Sequence, residues 1–265
     1  MFAWKILFLI SLGFGQVFAA SESFNFQPGI NLFTESVALT DIMGSKGSQL
    51  CAPIAITHAF NFLKYKHSPA FSSLNLTGSY QSQIRSFYQK CGTDKNNGTQ
   101  YPRALSCMRK FIEDSGYSAW VYMVGPDASI VPPGSSLSDI QRAVSIDDIR
   151  YYVSNSAAVI MTIGWYKLNP ATRVFERESG HFINIYGYDH QEQDGQNHVT
   201  LKVVNSLVNY QGRAPSEMFD TLAMKRVHGS GIPSGREFEL TGNGVNYPGY
   251  KSLVEDILIA YPYEQ

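Results

Sequence analysis

Apolar residues recur at spacings of three and four through Ala52, Ala55, Ile56, Ala59, Phe60 and Leu63. That period puts them on one face of a helix, and the small ones let it approach its neighbours closely. The stretch Ser48–Lys66 is therefore expected to form a mostly buried helix. Ser48 is a candidate cap, and Pro53 falls in the first turn, where its missing N–H has no intrahelical partner to lose. Gly78–Tyr88 and Arg103–Ser115 read as two further helices, joined by the polar loop Cys91–Gln100. Ser145-Ile146-Asp147-Asp148 has the form of a capping box. Ile146, Ile149 and Val153 give the helix behind it an apolar face that runs out near Asn155.

Trp120–Val124, Ala157–Ile163, Phe182–Tyr188 and His198–Val204 read as strands, the last two joined by a hairpin turn over Asp189–Asn197. His181 stands at the first position of its strand and Asn205 at the end of the next. Trp165–Ser179 reads as a polar excursion. Gly125–Ser136, with Pro126, Pro132, Pro133 and Gly134, reads as an irregular loop. Ser21–Asp41 is expected to be an extended lead-in. Beyond Gln211 the chain is rich in Gly and Pro, with a last apolar run at Ile257–Tyr261.

A chain of 265 residues can bury a sizeable core. Charged residues make up 16% and aromatics 13%, which indicates an ordered globular protein. The net charge of −1, without a basic run, leaves no footprint for nucleic acid or for a membrane surface. The N-terminus changes the picture. Lys5, the apolar core Ile6–Phe14 and the small residues of Val17-Phe18-Ala19 have the form of a signal peptide, too short to stay as an anchor. Cleavage is expected after Ala19. That would leave residues 20–265 as a soluble, secreted or periplasmic domain without membrane contact, with 210–265 as a C-terminal extension. Asn75-Leu76-Thr77 and Asn97-Gly98-Thr99 match glycosylation acceptors.

Secretion changes how the three cysteines read. In an oxidising compartment two tend to pair, and Cys91 and Cys107 lie in one local segment. Cys51 is then the free thiol. At a helix N-terminus the dipole and open N–H groups favour its thiolate, although a cysteine there can also be a small buried hydrophobe. An activated thiol needs a base within reach, and the base needs an orienting partner. Of six histidines, His58 lies too far along the same helix, and His67 lies past its end. His190, His198 and His228 fall in polar or Gly-rich segments. His181 follows Gly180, which permits close approach of another backbone, and its strand turns it toward the core. A satisfied core histidine is the alternative there. No metal-ligand spacing is visible.

Cys51-Ala52-Pro53 opening an alanine-rich helix, the acidic-capped helix, the strand AAVIMTI, Gly180-His181-Phe182, Gly187-Tyr188-Asp189 and the strand LKVVN form an ordered set. Over about Met43–Ser206 it resembles the papain-like cysteine peptidases, and most closely the branch that processes bacteriocin leaders. The resemblance implies an α+β fold: a helical half, with the central cysteine-bearing helix, packed on an antiparallel β-sheet that carries the histidine. It implies Cys51 as nucleophile, His181 as base and Asn205 as orienting residue, with a peptide or protein substrate and no cofactor. Two positions depart from the family pattern. Ala52 stands where a glycine is usual, and Ser45 stands near the usual place of the oxyanion-donating glutamine. Gln49, Ser45 or the Cys51 backbone N–H could fill that role. The function expected is a cysteine hydrolase cutting an amide bond. Acyl transfer to an amine is a close variant. A non-catalytic binding protein, with Tyr210–Gln265 making partner contacts, is the rival.

Overall fold

Six antiparallel strands follow one another round a closed ring. They are β3 (Ala158–Leu168), β4 (Phe175–Gln193), β5 (Gln196–Val204), β6 (Phe219–Arg226), β7 (Phe238–Thr241) and β8 (Tyr250–Pro262), and β8 pairs back onto β3. This computed structural model describes residues 21–25, 49–68, 70–117, 119–130, 134–193, 196–206 and 219–262. The short strand β1 (Ser21–Asn25) extends β4 beyond the reach of β3, and β2 (Ala119–Val124) lies along the last part of β8. Closure follows from the sequence pattern. Cross-strand pairs Ile185–Val203, Leu201–Leu222 and Met224–Leu240 put one apolar residue opposite another on a single face, and all are buried. A ring of this size is filled by such side chains and leaves none of its members as an open edge.

Five helices accompany the ring among the described residues: α1 (Cys51–Lys66), α2 (Tyr80–Lys90), α3 (Tyr101–Asp114), α4 (Leu137–Ile140) and α5 (Ile146–Ser154). Helix α1 packs on β3 and β4 and is buried along most of its length. Its first residue is Cys51 and its cap position is Leu50, with no side-chain cap; Ser48 lies outside the described residues. Helix α5 begins as its pattern predicts, with the Ser145 hydroxyl accepting from the Asp148 N–H and the Asp148 carboxylate accepting from the Ser145 N–H. Cys91 and Cys107 form a disulfide that ties the end of α2 to α3.

The expected architecture, a helical half packed on an antiparallel sheet, is corrected by this ring. The sheet closes into a barrel because segments read as irregular are strands. Trp165–Ser179 is not an excursion: β3 runs on to Leu168 and β4 starts at Phe175, so His181 lies well inside a long strand. The C-terminal part supplies β6, β7 and β8, which close the ring. Strand β8 is hard to see in the sequence because Glu255-Asp256 interrupts its apolar run. Both side chains are nevertheless fully buried, at a register shift opposite Thr162.

Candidate functional site

His181 shares its strand face with Ile183 and Ile185, which are buried in the core. Its Nε2 lies 2.9 Å from Oδ1 of Asn205, the residue that follows β5. An amide oxygen only accepts, so Nε2 carries the proton and Nδ1 is the basic nitrogen. The Trp165 indole stacks on the imidazole, with centroids 6.0 Å apart and planes 19° from parallel. Trp165 is itself held by donating Nε1–H to the Val245 carbonyl and by the edge of Tyr247. Burial pushes the His181 pKa down from 6.5 to about 4, and the Asn205 hydrogen bond opposes the shift. The ring is therefore neutral, and a base, at pH 7.

Cys51, which is in no disulfide, is 8% exposed at the start of α1. The register of α1 on β4 is set by Asn184, whose Nδ2 donates to the Ala55 carbonyl at 2.9 Å. Further along the helix, His58, Ala59 and Phe62 share a small cavity with Asn184, Ile185 and Tyr186. The first-turn amides of Cys51 and Ala52 have no intrahelical acceptor, while Pro53 has no N–H. They make that end of the helix a place for negative charge.

His181 and Asn205 are therefore brought together, while Cys51 stands at the start of α1, whose Ala55 meets the other face of β4. Gln49 is half-buried just before α1. Its Oε1 lies 2.7 Å from where a β-carbon on Gly98 would sit, in the loop enclosed by the disulfide. Ser45 lies outside the described residues, as does the N-terminal segment read as a signal peptide. Asn75 and Asn97 are both exposed. Trp165 was not singled out in the sequence. Its signal was the alternation Ile163, Trp165, which continues β3 past the point where polar residues begin. No protein-family model matches the sequence, and no curated protein does either.

Proposed function

We propose that the protein is a cysteine hydrolase that cleaves an amide bond in a peptide or protein, with Cys51 as nucleophile. The observation that carries the reading is the 2.9 Å Nε2 to Oδ1 contact, because it leaves Nδ1 of His181 as the free base. The likeness of the motifs to papain-like peptidases supports the same roles. In the proposed reaction Nδ1 takes the thiol proton as Sγ attacks the carbonyl carbon. The imidazolium then gives that proton to the amine as the C–N bond breaks, leaving a thioester on Cys51. Water, losing a proton to Nδ1, attacks the thioester, and the C–S bond breaks to return the thiol. Asn205 holds the ring in this tautomer. The first-turn amides are the donors proposed for the oxyanion, with Gln49 beside them.

A second reading, a binding protein without catalysis, has its own support. Cys51, His181 and Asn205 are all buried. Asn184, which meets α1, also alternates to the face of β4 opposite His181. Activated acyl donors separate the two. The protein is incubated with a mixture of short peptide p-nitrophenyl esters, which need few subsite contacts, and its intact mass is followed. The enzyme reading expects a transient acyl adduct on Cys51, absent in Cys51→Ala and slower both to form and to clear in His181→Ala. If native protein forms no adduct, the binding reading stands instead.

A further inference from the structure

Outside the candidate site, four elements meet at one buried carboxylate. Glu255, on β8, is 0% exposed. It accepts from Arg177 Nε at 2.6 Å and Nη2 at 3.1 Å, from Tyr166 Oη at 2.7 Å and from the hydroxyl of Tyr101 at the start of α3. Arg177 Nη2 also donates to the Tyr101 hydroxyl. The fork of a guanidinium on a carboxylate fixes orientation as well as charge. Burial and the neighbouring Asp256 carboxylate push the Glu255 pKa up to about 9, and the Arg177 guanidinium and two tyrosine hydroxyls are the donors around it.

The network rests on the backbone that presents His181. Gly164 and Gly180 are cross-strand partners, one rung from Ile163–His181. A β-carbon on Gly180 would meet Arg177 Nη2 at 2.2 Å, and one on Gly164 would meet Glu255 Oε1 at 2.4 Å. The ion pair therefore lies flat against this rung. On the other side of His181, the Tyr101 ring packs edge-on against Phe182 at 5.4 Å. Both strand neighbours of the histidine are covered by members of the network. The loop that leads into α3, and so to Tyr101, also carries Gly98, against which Gln49 packs.

We infer that Tyr101, Arg177 and Glu255 are positioning residues that set the His181 backbone relative to the helix end bearing Cys51. The inference rests on the function proposed above. None of the three need touch substrate. Tyr101 joins the helical layer to the barrel through its hydroxyl, Glu255 is the shared acceptor, and Arg177 fills the space that Gly180 leaves empty.

The test is Tyr101→Phe, which removes one oxygen, with Arg177→Lys as a second variant should the first fail to fold. Two signals are read: the rate of Cys51 alkylation by iodoacetamide at pH 6, and the imidazole NMR resonances of His181. Displacement of a reacting group by a fraction of an ångström is expected to slow alkylation about 10-fold. The His181 resonances should shift, while far-ultraviolet circular dichroism stays unchanged. A lowered melting midpoint with native rate and native resonances would reduce the network to a stabilising role and overturn the inference. The proposed function fails separately: His181→Ala would then leave the alkylation rate unchanged, and the His181 resonances would still judge the network.

Discussion

A histidine shut away from water is a base only as long as nothing protonates it. At His181 the largest influence is burial, and the stacked Trp165 ring supplies part of it. Removing that ring lets water reach the imidazole. Trp165→Ala should therefore raise the His181 pKa from about 4 toward the ordinary 6.5, which an NMR titration of the ring will show; an unchanged value would mean that Trp165 does not shield it. At this scale much was legible. Cys51, His181 and Asn205 stood out by residue type, by neighbours such as Gly180 and Pro53, and by place at a helix start or a strand end. Tyr101, Trp165, Arg177 and Glu255 were not legible. Each owes its role to a partner more than 70 positions away or on another strand, and no local spacing records such a contact.

Elements were read better than their joins. The helix around Ala52–Leu63 showed through its period, and the Ser145 capping box marked the start of α5. The strands of the hairpin and the tail were shortened or missed where polar residues continue a paired backbone, as at Arg177 and Glu255-Asp256. A buried charge with partners does not break a strand, yet in sequence it looks like an end. The join of α1 to β4 depends on Asn184. Its amide donates to the Ala55 carbonyl, and His58 lines the same small cavity. Asn184→Ala removes that bond and should cost about 1–3 kcal/mol in a denaturant titration. It should also slow Cys51 alkylation, because the helix loses its register on the strand. Native stability in this variant would show that apolar packing alone seats α1.

For the whole molecule, closure of the barrel was out of reach of the sequence, since it depends on β8 finding β3 across the length of the sheet. Stability in acid gives a global readout of the helix layer seated on that barrel. His58 is buried on α1, its Nε2 has no partner among the described residues, and burial lowers its pKa to about 4. The unfolded chain takes up a proton at about 6.5, so between pH 6.5 and 4 it binds more protons than the native state. Stability from this group is complete above pH 6.5 and falls as pH drops to 4, by at most about 3 kcal/mol. His58→Gln should flatten that limb relative to native protein in urea titrations across the range; an equal slope in both would place His58 in contact with water. The central claim is that a helix-borne thiol and a strand-borne imidazole act together, and the pH profile of Cys51 alkylation tests it most directly. An ordinary thiol, with a pKa of about 8.5, is almost silent toward iodoacetamide at mildly acidic pH. Native Cys51 is expected to label there, because the open first-turn amides favour its thiolate and the neutral His181 ring can take its proton, with His181→Ala moving its reactivity to higher pH and Asn205→Ala doing so less. Labelling of native protein only above about pH 8, or a profile that His181→Ala leaves unchanged, would contradict the pairing of Cys51 with His181.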